Sequence, residues 1–294
     1  MATETELPAV DRSLLSLAVA VAHAAGAITT EGFQTAERQA RIKRDGSVVT
    51  RTDQAVEDMM RRELGRQTPD DGILGEENGS DEGISGRRWV IDPIDGTRFF
   101  TNGIPVFTNL LAYEDEHGSA IGVINMPMQQ ELVFAGRGLG CWIAHGANPN
   151  LDKARQVRIG NCTHLGTAVV HGTHTFTWTV DFMAALHAHC LLQCNRGDDA
   201  YGIAMLVTGR ADAVVSVHTG KHWDWAPVPV IVSEAGGVAT DLRGRALPGD
   251  GSSLATNPAL HLPLLDLLSP LPRIRRWKHL AGTVTRPRGT TPPQ

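Results

Sequence analysis

The stretch Trp89-Val-Ile-Asp92-Pro93-Ile94-Asp95-Gly96-Thr97 constrains this chain more than any other. A short apolar run of strand type meets an acidic residue and then a proline, which fixes φ and has no N–H to give. The strand is therefore expected to break at Asp92-Pro93. Asp92 and Asp95 are three apart, so a helical turn after the strand returns both carboxylates to one side. Gly96 lets the chain approach a ligand closely. Gly96 and Thr97 then offer backbone N–H groups at a helix start, a natural seat for phosphate. Two carboxylates beside such a seat repel a phosphate unless divalent cations lie between them. Hard oxygen ligands select Mg²⁺ over zinc.

Two further acidic positions fit the same site. Glu76-Glu77 follows an apolar Gly72-Ile-Leu-Gly run, and Asp224 stands after Trp223 at the start of a helix expected over 225–235. Glu76, Asp92, Asp95 and Asp224 together carry −4, which two Mg²⁺ ions neutralise. Two ions ~3.5–4 Å apart can serve both the attacking and the leaving oxygen of a phosphoryl displacement. Taken singly, each residue has a plainer use. A Glu-Glu pair in a loop is ordinarily solvated, and Asp224 can simply cap its helix.

Charge and cysteine content narrow the classes further. The chain has 294 residues with 27 basic and 32 acidic side chains, a formal charge of −5. That balance argues against a dedicated nucleic-acid binder. No acidic residue follows Asp266, whereas Arg273, Arg275, Arg276, Lys278, Arg286 and Arg288 are basic. Removing those six leaves 21 basic against 32 acidic, a body of net charge −11 with a basic, Pro-containing tail over 271–294 that has little to bury and reads as disordered. Cys141, Cys162, Cys190 and Cys194 are too few for a disulfide scaffold. The spacing of Cys190 and Cys194 is a helical contact rather than a zinc-knuckle spacing. Reduced thiols and an N-terminus without a basic leader point to a cytoplasmic protein. Residues 13–30 are uncharged but Ala-rich and weakly apolar, which predicts a packed core helix and not a membrane span.

Periodicity predicts helices over 11–35 (capped by Asp11 or Ser13), 53–66 and about 200–208, and a strand at 211–217. The runs 105–113, 119–126 and 130–135 alternate with Gly and Pro turns and read as an antiparallel meander. Helix runs and strand runs are segregated, so the class is α+β. A soft boundary at 145–155 divides an N-terminal α+β subdomain (1–150), carrying most of the acidic positions, from a C-terminal α/β subdomain (151–270) supplying Asp224. Gly136-Arg-Gly-Leu-Gly-Cys has the wrong glycine spacing for a dinucleotide loop and follows a hairpin, so no such role is assigned.

Gly75-Glu76-Glu77, Asp92-Pro93-Ile94-Asp95-Gly96-Thr97, Trp223-Asp224 and Glu234-Ala-Gly-Gly237 closely resemble the motifs of the inositol monophosphatase family, in the same order and spacing. Lys43-Arg-Asp-Gly-Ser-Val-Val-Thr-Arg-Thr-Asp53 resembles a further family segment, with Val48 where proline is usual. These are Mg²⁺-dependent, lithium-sensitive phosphatases, and the resemblance spans roughly residues 15–260. It implies a layered αβαβα sandwich of the inositol monophosphatase and fructose-bisphosphatase type, and a homodimer.

The resemblance also implies roles. Glu76, Asp92 and the Ile94 carbonyl hold one Mg²⁺; Asp92, Asp95 and Asp224 hold a second; a weaker third uses Glu76. Thr97 and Asp53, with Glu76, orient and deprotonate the attacking water, and the N–H groups of Gly96 and Thr97 hold the phosphate. Pro227 fits a first helical turn, whereas Pro229 should kink or delay the helix after Asp224. Gly197-Asp-Asp199-Ala-Tyr-Gly202 and Lys221-His-Trp-Asp224 resemble the histidinol-phosphate phosphatase branch, which makes Asp199 and Lys221 candidate substrate contacts. Residues 217–220 lack the carboxylate of inositol-specific members. Inositol or aminocyclitol monophosphates, and a catalytically idle phosphate-binding relative, stay open as alternatives to histidinol phosphate. His171, His174, His218 and His222 are candidate pocket residues.

Overall fold

The structure is a computed structural model. It describes residues 7–35, 40–43, 47–146, 151–175, 178–194, 199–217, 220–247 and 249–272, the side chains of 151, 192–194 and 199 excepted. The basic tail beyond 272, His218 and the Gly197-Asp198 pair lie outside the described residues.

In chain order the elements are α1 (Arg12–Gln34), β1 (Arg41–Ile42), β2 (Val48–Val49), α2 (Arg51–Gln67), β3 (Gly72–Gly75), β4 (Gly79–Asp81), β5 (Arg88–Asp95), α3 (Thr97–Thr101), β6 (Thr108–Asp115), β7 (Gly118–Met126), β8 (Glu131–Gly136), β9 (Gly140–His145) and β10 (Arg155–Gln156). The second half continues with β11 (Val169–Gly172), α4 (Val180–His189), β12 (Leu192–Cys194), α5 (Asp199–Val207), β13 (Ala213–Ser216), α6 (His222–Trp225), α7 (Val228–Glu234), β14 (Val238–Thr240), β15 (Ser253–Thr256) and α8 (Pro258–Leu268).

Local chemistry explains the helix starts. Asp11 caps α1 by accepting the Ser13 N–H at 2.8 Å. Thr50 and Asp53 form a capping box at α2. Asp53 is thus the third residue of that helix rather than its first. By length and apolar character α1 could cross a membrane. Its buried face, including Leu15, Ala18, Val19 and Ala22, instead packs with Val56 and Met60 of α2 and with Leu111 and Val123 of the sheet. Gly32 makes the α1–α2 contact close, since a Cβ there would meet the Thr52 hydroxyl at 2.3 Å.

Eight strands run in the order β10-β9-β8-β7-β6-β5-β3-β4, antiparallel except for the β3–β5 pair. Five form a second sheet, β12-β11-β13-β15-β14, in which β11 runs parallel to β12 and β13. One core joins α1 and α2 to the first sheet. A second core sets α5 and α7 between Leu110 and Ile124 of that sheet and Val214 and Ala255 of the other. A third packs α4 and α8 on the far face of the second sheet. The layers are therefore α, β, α, β, α, as the resemblance implies.

Three further local expectations are corrected, and one helix is added. The strand does not break at Asp92-Pro93 but continues to Asp95 through a register shift, so a bulge and not a helical turn sets the two carboxylates. The helix expected over 225–235 is two short helices divided at Ala226-Pro227, with Pro227 at the cap of α7 and Pro229 in its first turn, where a missing N–H costs no bond. Cys190 caps α4 and Cys194 ends β12, so the two are not a helical pair. Helix α8, with Pro258 at its start and Pro263 inside, was not expected. The glycine-rich 136–141 segment is the β8–β9 hairpin, and Gly138 and Gly140 donate their N–H groups to the Glu234 carboxylate at 2.6 and 2.7 Å.

Candidate active site

Side-chain alternation along β5 decides where Asp92 points. Trp89 and Ile91 enter the core under α1 and α2, whereas Val90 faces the other way and packs with Ala226 and Trp223 around α6. Asp92 shares the Val90 face, so it looks toward the helix that carries Asp224. The parallel β3–β5 pairing brings in Glu76, whose N–H donates to the Ile91 carbonyl at 3.2 Å. Asp92 is 2% exposed. Its carboxyl is pushed well above the usual range, first by burial and then by Glu76, Asp95, Asp224 and Asp53, which all lie within electrostatic reach.

Asp95 accepts the Thr108 hydroxyl at 3.2 Å and the Ala200 N–H at 3.3 Å. The second contact sets the start of α5, where Asp199 stands, against the acidic cluster; the Asp199 side chain lies outside the description. Asp224 accepts the Lys221 N–H at 2.6 Å, so it does cap α6 while facing Asp92. The Lys221 side chain is exposed. His222 Nε2 lies 2.8 Å from Glu114 Oε1, and Arg88 Nε donates to Glu114 Oε2 at 2.8 Å, which fastens α6 to β5 and β6. His171 is buried beside Gly202.

The Thr97 hydroxyl donates to the Ile94 carbonyl at 2.9 Å and has Asp53 Oδ1 at 3.4 Å. Asp53 is fully buried, and burial raises its carboxyl to about 6 against the opposing hydrogen bonds from Thr50, with Glu76 adding to the rise. Gly96 holds φ at +85°, a conformation that L side chains rarely adopt, and so turns the chain from β5 into α3. Helix α3 has only five residues, so what it presents is the local N–H groups of Gly96 and Thr97.

The sequence profile of the inositol monophosphatase family matches residues 11–270, nearly the whole described chain. The chain belongs to the inositol monophosphatase family. A histidinol-phosphatase of Mycobacterium tuberculosis (strain ATCC 25618 / H37Rv) is 34% identical over 264 residues, covering 87% of this chain and 97% of that one. An inositol-1-monophosphatase of Mesorhizobium japonicum is 30% identical, covering 86% and 95%. Among solved structures, the extragenic suppressor protein suhB of Bartonella henselae superimposes with a TM-score of 0.79 at 26% identity, covering 87% of this chain and 98% of that one. As an inositol monophosphatase family member the chain is a phosphoric monoester hydrolase of small phosphate esters, in a family generally dependent on Mg²⁺.

The residues of this family member fit such an ion. Asp92 Oδ1 is buried without a hydrogen-bond partner, as expected of a carboxylate oxygen whose partner is a hard cation. The carboxylates are gathered but not closed on one point. Among the described residues no three His, Cys, Asp or Glu side chains form a compact metal-holding group. Glu76 instead turns to Lys43, whose Nζ donates to Glu76 Oε1 at 3.0 Å and Glu77 Oε1 at 2.7 Å. Burial, with Glu76 and Asp53, raises the Glu77 carboxyl to about 7 although Lys43 opposes it.

Reading the sequence for its site missed Lys43 as the partner of both glutamates, and it missed Glu57. The second omission had a signal: Asp53 and Glu57 are four apart in α2, on the face that carries Val56 and Met60.

Proposed function

We propose that this hydrolase is a Mg²⁺-dependent phosphatase of a small polyol or amino-alcohol phosphate, histidinol phosphate before others. The observation that carries the metal reading is Asp92: buried, lacking a partner at Oδ1, and faced by Glu76, Asp95, Asp224 and Asp53. Glu76, Asp92, Asp95, Asp224 and the Ile94 carbonyl would hold two ions, with a weaker third on Glu76. When bound, Mg²⁺ supplies charge neutralisation and Lewis acidity toward phosphoryl oxygens.

The chain's own groups do the remaining work. The N–H groups of Gly96 and Thr97 bind and orient the phosphate. The attacking water would pass one proton to the Thr97 hydroxyl as that hydroxyl gives its own to the Asp53 carboxylate, which ends protonated, and Glu76 helps to orient the water. Burial raises the Asp53 carboxyl, the direction that suits a group that must accept a proton. Asp199 and Lys221 meet the alcohol portion of the ester. Asp199 suits a substrate ammonium, and the histidinol-phosphatase relative supports that choice. The inositol-1-monophosphatase relative supports a second reading, an inositol or aminocyclitol monophosphate. We further propose a homodimer, which the resemblance supports, in the cytoplasm, which the few scattered cysteines support.

The test is phosphate release from a panel of histidinol phosphate, inositol phosphates, aminocyclitol phosphates, fructose bisphosphate and adenosine bisphosphate. The highest kcat/KM is expected for histidinol phosphate, and a preference for an inositol phosphate would replace that assignment. Hydrolysis of none of them would point to the idle phosphate-binding relative.

A further inference from the structure

The β5–β6 ladder breaks where the acidic residues begin. Asp92 pairs with Leu110 and Asp95 with Thr108, so Pro93 and Ile94 oppose Asn109 alone. Two residues against one make a β-bulge, which bends a strand and re-aims its side chains. Pro93 cannot donate a ladder bond at this point.

The side chain of Asn109 fills that gap. Its Nδ2 donates to the Pro93 carbonyl at 2.6 Å and to the Thr29 hydroxyl of α1 at 2.8 Å. Its Oδ1 accepts from Nδ2 of Asn125, directly opposite on β7, at 2.9 Å. Asn125 also donates to the Ala22 carbonyl at 3.0 Å, and Thr29 to the Ala25 carbonyl at 2.9 Å. All three side chains are at most 4% exposed. The chain of donors fixes the amide: a flipped Asn109 would set its oxygen against the Pro93 carbonyl. Packing alone calls for nothing polar here, because the next inward residues along the two strands are Leu111 and Val123. A satisfied network in a dry interior is directional, and an unsatisfied one is costly.

We infer that Asn109 is a positioning residue: through the Pro93 carbonyl it fixes the bulge that sets Asp92, the Ile94 carbonyl and Asp95, acting from the α1 face of the sheet while Asp92 looks out of the other. The inference rests on the metal-assisted reading of the site.

The experiment uses the full chain, Mn²⁺ as a spin probe of metal binding, and the Mg²⁺ dependence of turnover. Asn109→Leu is expected to bind Mn²⁺ roughly tenfold or more weakly, and to need correspondingly more Mg²⁺ for half-maximal rate. Thr29→Val removes two core hydrogen bonds, one from Asn109 and one to the Ala25 carbonyl, but leaves the Asn109–Pro93 bond. It should lower thermal stability while holding Mn²⁺ affinity within roughly twofold. If Asn109→Leu does not fold, Asn109→Ser keeps a small polar group and is held to the same expectation. Wild-type Mn²⁺ affinity in the folded Asn109 variant overturns the inference, as does metal affinity that simply tracks lost stability in both variants. An unmodified chain that neither binds Mn²⁺ nor hydrolyses any ester overturns the reading of the site itself, and the inference with it.

Discussion

The carboxylate of Glu57 accepts the backbone N–H of Glu77 at 2.7 Å, from a side chain with no exposed surface. The same carboxylate takes the Asn78 N–H at 3.0 Å and the Nε of Arg61 at 2.8 Å, and Arg61 reaches on to the Gly79 carbonyl and to Asp81. One buried acid in α2 thus shapes the turn that presents Glu76.

Glu57→Gln should therefore harm both stability and turnover. It replaces the buried anion beside Arg61 by a neutral amide while Asp81 and the Gly79 carbonyl remain, so stability should fall by roughly 1–3 kcal/mol. It also sets the amide N–H₂ against one of the two backbone donors, that of Glu77 or that of Asn78, which loosens the Glu76 turn. Thermal unfolding and phosphate release measure the two effects. A variant with wild-type melting and wild-type kcat would show that the turn holds itself.

Asp95→Asn separates charge from shape. The amide keeps an oxygen for the Thr108 hydroxyl and the Ala200 N–H, so circular dichroism and melting should change little. Turnover should fall roughly a hundredfold or more, because the group that faces Asp92 is no longer anionic. Near-normal hydrolysis would count against the metal reading.

Metal removal gives an independent check. Excess chelator should bring phosphate release to background, Mg²⁺ should restore it, and Li⁺ should inhibit. Activity unchanged in chelator would mean that the carboxylates around Asp92 serve another purpose.

What the sequence disclosed follows a physical divide. Motif chemistry is local, so Asp92, Asp95, Gly96 and Thr97 could be read from nine consecutive residues, and the long α1 and the meander from their periodicity. The bulge could not, because it is a relation between β5 and β6, and only pairing shows that Asn109 stands against two residues. For Glu57 the helical spacing from Asp53 marks its buried face, but not its partners Glu77 and Asn78, which lie some twenty positions onward. The helix expected over 225–235 splits where its prolines stand: the delay expected of Pro229 is seen as a start at Val228, with Pro227 at the cap. Helix α8 carries Pro258 in its first turn, where a proline costs no bond, and Pro263 inside it, so its two prolines mask a helix that packing on the second sheet supports.

Gly96→Ala probes the turn between the carboxylates and α3. The nearest atoms to a Cβ there lie 3.5 Å away, so room is not the obstacle. The obstacle is φ at +85°, and forcing an L residue into that region costs roughly 1–2 kcal/mol. Melting should fall by that amount and KM for the ester should rise, as the Gly96 and Thr97 N–H groups lose alignment. An unchanged KM would remove these groups from phosphate binding.

His261 should make stability fall in mild acid. Its ring is 6% exposed, with Nδ1 3.1 Å from the Thr256 hydroxyl and Nε2 3.0 Å from that of Thr240. Burial lowers its pKa below the ordinary 6.5. The unfolded chain therefore takes up a proton at a higher pH than the folded one does. Stability is full above the unfolded value and declines as the pH falls through it, by at most about 1.4 kcal/mol per pH unit from this one group. Below the folded pKa both states are protonated and the slope vanishes. Urea unfolding at pH 8, 7, 6 and 5 measures the trend. In His261→Gln, which keeps a donor and an acceptor between the two threonines but does not titrate, the acid slope should be shallower. An identical slope in both proteins would assign the acid sensitivity to other groups.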